Sequence, residues 1–438
     1  MRNTNKTKAE ILNKLGIREL NPMQKAALEA IPKQAEVVLL SPTGTGKTLA
    51  FLLPLTDFLH PDLEAIQALI LVPSRELAIQ IEQVAREMGS GLKINAVYGG
   101  RSASKDKLDL QHSPALLIGT PGRVADHIKR GNLKTEAIRF LILDEFDKSL
   151  EVGFEKEMKA IVRALPNLEK KILTSATQKV GIPGFLELKQ PRQLDFSQED
   201  KHLALALRLL WAEQADKLDS LKKLLMQVGD GRGIIFCNYK DTIQFVSEFL
   251  ERENIEHICY YGGLEQQDRE RALIQFRNGT YRLMVATDLA ARGIDVPALD
   301  FIIHYQLPFQ EEEFIHRNGR TARMNAGGTA YLIHFKNKIL PDYLDPIEAL
   351  NIPDQGQVPS SSQWTTLFIS GGRKDKISKG DIAGLFIKEG GLPPDDLGLI
   401  ELKQDCAFVA VAKKHSKRLV NQLNNSRLKK RKVRIKLI

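Results

Sequence analysis

Cysteine is scarce in this chain, and long apolar runs are missing from it. The three cysteines, Cys237, Cys259 and Cys406, are far apart, odd in number and form no CxxC pair. This argues against a disulfide framework or a zinc site and for a reducing compartment. No apolar run approaches the roughly 18 residues that a membrane-spanning helix needs. Since MRNTNKTKAEILNKLG, at the start, has no apolar core like that of a signal peptide, we expect a cytoplasmic protein without a membrane partner.

The excess positive charge is confined to the end of the chain. The 438 residues carry a net charge of +9. The segment from Thr365 to Ile438 has 17 Lys or Arg against seven Asp or Glu, which leaves 46 basic and 47 acidic residues elsewhere. A local excess of this kind is typical of a nucleic-acid partner. A basic tail that only aids solubility is the alternative, but the interleaved apolar residues of CAFVAVA and VRIKLI favour a folded domain.

Short continuous apolar runs alternate with amphipathic segments over most of the chain. Such runs are typical of parallel strands covered on both faces by helices, so we predict doubly wound α/β domains. The pattern weakens at 191–206, which predicts a linker between two such domains. The predicted strands lie within 36–41, 67–73, 94–100, 115–120, 140–144 and 170–177 in the first domain, and within 233–238, 257–262, 282–288, 301–305 and 328–334 in the second.

A second predicted linker, residues 351–363, is rich in Pro, Ser and Gln. The candidate elements after it follow the order β-α-β-β-α-β, which is typical of a small RNA-recognition domain. We therefore predict a first α/β domain over 1–198, a second over 207–350 and an α+β domain over 364–438, and we expect a monomer.

The segment SPTGTGKT, residues 41–48, follows the first predicted strand and precedes a helix. Glycines let backbone N–H groups close around phosphates, and a helix N-terminus favours negative charge. This predicts a nucleotide site in which Lys47 reaches the β and γ phosphates and the Thr48 hydroxyl binds Mg²⁺. An ordinary Gly-rich turn is the alternative. The loop residues that would surround the phosphates are Thr43, Gly44, Thr45 and Gly46.

Three carboxylates, Asp144, Glu145 and Asp147, follow the apolar run of FLILDEFDKSL. Beside a P-loop, Asp144 would hold magnesium through water, and Glu145 would orient or deprotonate the attacking water. An acidic cluster that only solvates the edge of a sheet is the alternative. Asp147 needs a further partner, and the hydroxyls of Ser175 and Thr177 in SAT can supply it.

Three arginines surround a glycine in HRNGRTAR, residues 316–323. Arg320 and Arg323 are three residues apart, so on a helix they would share a face and reach a γ-phosphate bound to the first domain. The alternative is a solvated basic helix. The stretch ATDLAARGID, residues 286–295, ends another strand with charged residues.

These motifs, in order over residues 10–335, resemble those of DEAD-box RNA helicases, with DEFD in the place of DEAD. The resemblance implies that Gln24 reads adenine, that Asp295 contacts the ribose, and that Arg320 and Arg323 are arginine fingers. It implies that ATP and RNA close two RecA-like domains together and that a short duplex is unwound locally. The residues that it assigns to RNA are Pro73, Arg75, Gly100, Thr120, Arg123, Gln266, Arg269 and Thr287.

The P-loop begins with Ser41, where Gly or Ala is usual, and three further features depart from the family pattern. Residues 1–50 lack the Phe, Tyr or Trp that usually stacks on adenine, so adenine preference is expected to be weaker or to come from elsewhere. Phe146 stands where the family has alanine, which leaves the carboxylates intact. The segment HRNGRTAR ends in TAR where the family has TGR, so an alanine stands one residue before Arg323.

The C-terminal segment is similar to the RNA-binding domain of DbpA-type bacterial helicases, in TLFISGGRKDKISKGDIAGLF and in the basic ending RLKKRKVRIKLI. That resemblance implies recruitment by a hairpin of large-subunit ribosomal RNA. Phe368 and Phe408 fall where RNA-recognition folds carry stacking rings, but Cys406 stands where a second ring is usual. Non-specific RNA binding by a basic domain is the alternative. Binding through cations on loops and on the last strand fits better than base stacking: Arg373, Lys374, Lys429, Lys430 and Arg431.

We therefore predict an ATP-dependent RNA helicase, an RNA-stimulated ATPase, that remodels ribosomal RNA in assembly of the large subunit. One alternative is a general RNA chaperone with a non-specific tail. Another is an ATP-regulated RNA clamp that binds without unwinding. A DNA helicase fits less well, because DEFD, SAT and the segment NPMQ, which contains Gln24, together match the RNA group.

Overall fold

The structure, a computed structural model, describes residues 6–42, 44–100, 103–176, 181–197, 205–213, 217–288, 296, 299–321, 328–344, 347–352 and 356–438. The described residues form two units, one made of the residues up to 197 and the other of the residues from 205 onward. Four predicted site residues lie outside the described residues: Thr43, Asp295 and Arg323 of the nucleotide site, and Thr177, a predicted partner of Asp147.

A parallel sheet forms the centre of the first unit. In chain order its strands are β1 (Glu36–Leu40), β2 (Ala68–Leu71), β3 (Ile94–Val97), β4 (Leu116–Gly119), β5 (Phe140–Leu143), β6 (Lys170–Ser175) and β7 (Arg192–Asp195). In the part of this unit that the structure describes, they lie in the order β3-β4-β2-β5-β6-β1-β7. Every neighbouring pair is parallel, as the continuous apolar runs predict.

Helices cover both faces of this sheet. Successive strand residues point to opposite faces, so Ile142 packs in one hydrophobic core and Leu141 and Leu143 pack in the other. None of the helices in the described ranges is long and apolar enough to cross a membrane. The helices of this unit are α1 (Lys8–Lys14), α2 (Pro22–Lys33), α3 (Lys47–Leu55), α4 (Arg75–Met88), α5 (Ala103–Gln111), α6 (Pro121–Lys129), α7 (Phe146–Glu151) and α8 (Glu155–Arg163).

A second parallel sheet lies in the second unit. Its strands are β8 (Leu205–Ala212), β9 (Gly233–Phe236), β10 (His257–Tyr260), β11 (Leu283–Ala286), β12 (Phe301–His304) and β13 (Gly328–Phe335). Over the described residues their order is β10-β11-β9-β12-β13-β8, with every pair parallel. The helices that accompany them are α9 (Leu218–Val228), α10 (Lys240–Arg252), α11 (Gln266–Arg277) and α12 (Glu311–Asn318).

The segment 191–206, where the apolar pattern weakens, contains the whole of β7, within the predicted first domain, and the start of β8, just ahead of the predicted second domain. Both are edge strands of their sheets. An edge strand is less covered by neighbours, and in β7 only Leu194 is buried. Strand β7 therefore lacks the continuous apolar run that marks the interior strands, whereas β8 has one in LLWA, residues 209–212.

The C-terminal domain has the predicted order of strand, helix, strand, strand, helix, strand. Its main elements are β14 (Trp364–Ile369), α13 (Lys379–Gly384) with a π-helical turn over Leu385–Glu389, β15 (Leu397–Leu402), β16 (Ala407–Ala412), α14 (Ser416–Leu423) and β19 (Ile435–Leu437). A two-stranded ribbon of β17 (Arg427–Leu428) and β18 (Arg431–Lys432) precedes the last strand. The main sheet is antiparallel, in the order β15-β16-β14-β19.

One face of this antiparallel sheet contacts the second α/β domain. Glu401, which is buried, forms an ion pair with Arg277 at the end of α11, with Nε 2.7 Å from the carboxylate. The Thr366 hydroxyl lies 3.1 Å from the Asn278 side-chain nitrogen and 2.7 Å from the Thr280 hydroxyl. The C-terminal domain is therefore fixed to the second α/β domain by buried polar contacts.

The described part of the second linker also lies along the second α/β domain. The Ser360 backbone N–H donates to Asp230 at 2.7 Å, and the Ser362 hydroxyl donates to the carbonyl of Gly279. This segment is irregular, as the composition predicts, but these contacts hold it in place.

Candidate functional site

The predicted site residues of the first unit lie along one edge of its sheet. Because the described strands are parallel, their carboxyl ends share that edge. The P-loop follows β1, DEFD follows β5 and Ser175 ends β6. On the other side of β5, Arg75 follows β2, Thr120 follows β4 and Gly100 follows β3. The nucleotide motifs and the RNA motifs therefore occupy neighbouring halves of one edge.

The P-loop lysine is folded back onto its own loop. Lys47 begins α3, and its Nζ donates to the carbonyls of Ser41 (2.6 Å) and Pro42 (2.8 Å). Gly44 and Gly46 have φ of +87° and +85°, a region that favours glycine. To reach a phosphate, Lys47 must exchange these carbonyls for phosphate oxygens. Thr48, the predicted magnesium ligand, is half-buried in the first turn of the helix.

Gln24 joins helix α2 to the P-loop. Asn21 is the N-cap of this helix, and its backbone N–H donates to Gln24 Oε1 at 3.1 Å. Gln24 Nε2 donates to the carbonyl of Gly46 at 3.3 Å. A Cβ on Gly46 would lie 2.5 Å from that nitrogen and would displace the Gln24 amide, while the φ of +85° itself favours glycine there. Asn21 adds a second link through the carbonyl of Thr45 at 2.9 Å. The glutamine is therefore beside the nucleotide loop, and its reading of adenine stays a prediction.

Ser41, where the family usually has a small residue without a hydroxyl, bonds within the loop. Its hydroxyl lies 2.7 Å from that of Thr45, which in turn donates to the carbonyl of Pro42 at 2.9 Å. Both hydroxyls are buried with their residues. The unusual serine thus closes a hydrogen-bonded ring inside the loop.

The first carboxylate of DEFD is buried at the end of β5. Asp144 is 3% exposed, and burial raises the pKa of its carboxyl, although the Thr174 hydroxyl and the charge of Lys47 act in the opposite direction. The Thr174 hydroxyl donates to Asp144 Oδ1 and accepts from the Glu145 N–H at 3.2 Å. Sequence reasoning missed Thr174, because threonine is common in strands and its distance from DEFD is not visible in the sequence.

The chain reverses from strand to helix at Glu145. Its φ of 49° and ψ of 50° are left-handed, which costs energy for a residue with a Cβ and is concentrated at functional sites. Glu145 is half-buried and is the N-cap of α7, and Asp147 lies in the first turn of that helix. Asp147 is 1% exposed; burial raises the pKa of its carboxyl, and the Ser175 side chain forms a hydrogen bond with it. The coupling role of Asp147 and Ser175 stays a prediction.

Phe146, the departure from the family pattern, is a core residue. Its side chain is 2% exposed and belongs to the hydrophobic core that includes Leu143, Met158 and Ile161. Because Phe146 begins α7, its ring anchors the helix that follows the two carboxylates. The aromatic residue therefore contributes to packing under the site.

The RNA motifs of the first unit include a buried ion pair. Thr120 is the N-cap of α6, and on that helix Arg123 lies 2.7 Å from the carboxylate of Asp106. Asp106 is fully buried on α5 and also lies 3.2 Å from Nε2 of His127. Sequence reasoning missed Asp106, since nothing in SKDKLDL distinguishes it from a solvated charge. Arg75 begins α4, directly after Pro73 and Ser74.

Motif residues of the second unit lie at the carboxyl ends of its strands. After β10, Gln266 begins α11, and the guanidinium of Arg269 lies 5.4 Å from the ring centre of Tyr260. Thr287 follows β11 directly. Their contacts with RNA stay predictions.

The arginines of HRNGRTAR differ in environment. Arg317 is 1% exposed, forms an ion pair with Asp288 and donates to the carbonyl of Gln306 at 2.6 Å. Helix α12 ends at Asn318, so the prediction of a helical face is wrong for Arg320, which lies in the turn beyond it. Arg320 is 6% exposed, and its role as an arginine finger stays a prediction.

The cations of the C-terminal domain divide into two groups. Lys429 lies 2.9 Å from the carboxylate of Asp381, and Arg431 forms an ion pair with Asp375. The other three, Arg373, Lys374 and Lys430, are exposed, as Lys429 also is.

The aromatic row on the antiparallel sheet is partly covered. Phe368 and Phe408 pair across β14 and β16 with ring centres 5.7 Å apart, and Phe408 is 6% exposed. Their row continues to Glu401 on one side and to Lys436 on the other, whose Nζ lies 5.4 Å from the Phe368 ring centre. Because Glu401 pairs with Arg277 of the α/β domain, this face offers little room for stacked bases.

Three family models match the chain in order. They are the DEAD/DEAH box helicase over 21–182, the helicase conserved C-terminal domain over 216–325 and the DbpA RNA binding domain over 366–437. The ATP-dependent RNA helicase DbpA of Escherichia coli (strain K12) is 32% identical over 441 residues, which are 98% of this chain and 96% of that protein. The chain belongs to the DbpA-type DEAD-box ATP-dependent RNA helicases.

Two further comparisons agree with this family. DbpA of Bacillus subtilis (strain 168) is 30% identical over 97% of this helicase and 96% of its own length. The solved structure of S. cerevisiae Dbp5 bound to RNA and ADP BeF3 is similar with a TM-score of 0.67 and 26% identity, over 75% of this helicase and 87% of that chain. The predictions of two RecA-like domains and of an ATP-dependent RNA helicase are confirmed.

Proposed function

We propose that Mg²⁺ accompanies ATP on the edge of the first sheet, held by Thr48 and, through water, by Asp144. These groups fit that ion, because Mg²⁺ prefers oxygen ligands and is usually bound by one or two protein groups together with phosphates. In the described ranges no group of three or more His, Cys, Asp or Glu is placed to hold a metal by itself. The buried carboxyl of Asp144, whose pKa is raised by burial, would gain a cation. Bound there, the ion would neutralise charge on the transferred phosphate.

We further propose that this helicase remodels structured ribosomal RNA in assembly of the large subunit. The observation that supports this most strongly is the C-terminal domain, which matches the DbpA RNA binding domain and contains the whole excess of positive charge. Its aromatic row is partly covered by the second α/β domain, so recognition would use exposed cations such as Lys374 and Lys430. The free thiols of all three cysteines support the proposed cytoplasmic location. We also propose a monomer, which analytical ultracentrifugation of the full chain would test.

ATP hydrolysis by the full chain should respond to RNA in a structure-dependent way. We expect a hairpin-containing fragment of large-subunit ribosomal RNA to stimulate ATPase at a concentration roughly tenfold or more below that of unstructured RNA of equal length, because specific contacts add to phosphate attraction. The measurement is steady-state ATPase against RNA concentration. Equal stimulation by both RNAs would support the general chaperone. Retention of RNA in the ATP state without strand separation would support the clamp.

Substitution of the exposed lysines should change the salt dependence of RNA binding. In the full chain, Lys374→Ala and Lys430→Ala should each reduce the slope of log affinity against log salt by about 0.7, because each removes one phosphate contact. Lys429→Ala is the matched comparison; it should have a smaller effect, since its ammonium already lies 2.9 Å from Asp381. Unchanged slopes in both exposed-lysine variants would show that RNA binds elsewhere.

A further inference from the structure

Thr174 lies between the two strands that carry the nucleotide motifs. It is fully buried on β6, which is flanked by β1 and β5. In register it pairs with Leu39 of β1, while its neighbour Leu173 pairs with Leu143, the residue before Asp144. The end of β6 therefore contacts both the strand before the P-loop and the strand before DEFD.

A single hydroxyl serves two functional residues at this position. It donates its proton to Asp144 Oδ1 and accepts the N–H of Glu145 at 3.2 Å. A hydroxyl has one proton and two lone pairs, so both bonds can form at the same time. The first bond fixes the Asp144 carboxylate and leaves its other oxygen for a metal-bound water. The second supports the left-handed backbone of Glu145, whose φ is 49°.

Packing alone does not require this hydroxyl. The two residues before it, Ile172 and Leu173, are buried and apolar, and valine has nearly the same shape as threonine. Valine would, however, leave a buried carboxylate oxygen and a backbone N–H without their partner. The cost of such unpaired groups falls on Asp144 and Glu145, the two residues that the hydrolysis needs.

We propose that Thr174 is a positioning residue for ATP hydrolysis, which orients Asp144 for the magnesium water shell and Glu145 for the attacking water. This rests on the proposed magnesium site. Thr174 lies just before the SAT motif. Its role would explain how strand β6 positions both the Asp144 carboxylate and the backbone of Glu145.

The test compares Thr174→Val with Thr174→Ser in the full chain. We measure the affinity for a fluorescent ATP analogue with and without Mg²⁺, and ATPase against Mg²⁺ concentration at saturating RNA. In T174V we expect the Mg²⁺ concentration for half-maximal activity to rise roughly tenfold and kcat to fall roughly tenfold, with Mg²⁺-free affinity within about twofold of wild type. T174S keeps the hydroxyl and should restore both values to within about threefold.

Thr56→Val is the matched control, since Thr56 is also buried in the first domain and its hydroxyl donates locally, to the carbonyl of Leu53 at 2.7 Å. It should leave the Mg²⁺ requirement unchanged. A wild-type Mg²⁺ requirement and kcat in T174V would overturn the proposal, as would an equal loss of affinity with and without Mg²⁺. If T174V does not fold, the Mg²⁺ requirement, kcat and Mg²⁺-free affinity are measured in Thr174→Ala instead. A wild-type enzyme without any Mg²⁺ requirement would instead refute the proposed magnesium site.

Discussion

The Glu145→Gln variant should bind ATP as the wild type does and hydrolyse it roughly 10²–10⁴-fold more slowly, the usual contribution of a general base. Glutamine has nearly the same shape as glutamate and can hold a water, but it cannot accept the water's proton. Since neither residue is glycine, both place the same demand on the left-handed backbone at φ 49°. The variant therefore tests the carboxylate and leaves the turn unchanged. The measurements are ATP-analogue affinity and RNA-stimulated turnover.

Glu169→Gln is the matched control for this loss. Glu169 is in the same domain, exposed, and forms an ion pair with Arg139 (2.6 Å) just before β6 begins, at the opposite end of the strand from the site. An exposed pair of this kind contributes little, so turnover should stay close to that of the wild type. Near-normal turnover in the Glu145 variant would assign water activation to another group.

The interior strands of both α/β sheets could be predicted from the sequence, because a strand that is buried on both faces is apolar at consecutive positions. Runs such as FLIL (140–143) and GIIF (233–236) are apolar throughout, and they are the strands β5 and β9. This apolar signal is missing from the edge strand β7, which buries only Leu194 of its four residues. The turn after β5 was placed by its motif, but the motif says nothing of the left-handed conformation of Glu145.

Residues that act through distant partners could not be predicted in this way. Thr174 is 30 positions from Asp144, and Arg277 is 124 positions from Glu401. Only the folded register brings each pair together, and neither residue belongs to a spacing pattern. Glycines and P-loop residues, in contrast, can be recognised in the sequence, because the backbone conformation that they allow depends on adjacent residues. The candidate site is thus predictable where its chemistry is local in sequence, and the supporting contacts require the structure.

Phe146→Ala, which turns DEFD into the family's usual sequence, should destabilise the first domain by roughly 3–5 kcal/mol, the usual cost of removing a buried phenyl ring. Phe146 is 2% exposed in a core with Met158 and Ile161, so alanine would leave a cavity that this core must collapse to fill. Other family members can fit alanine only with a core packed for it. Restoring the family residue here is therefore expected to harm the protein.

Hydrogen exchange measured by mass spectrometry can test this in the full chain. Amides of β5 and α7 should exchange faster in the variant, by the factor that the lost stability implies. Peptides of the second unit are an internal reference, and Leu108→Ala, whose side chain is 62% exposed on α5, should shift exchange little. Tryptophan fluorescence would miss the effect, because Trp211 and Trp364 both lie in the second unit. Wild-type exchange in β5 would mean that the ring fills no space that the core needs.

Since the carboxylates keep their positions in sequence, activity per folded molecule should survive, which would separate the packing role of Phe146 from the chemistry beside it.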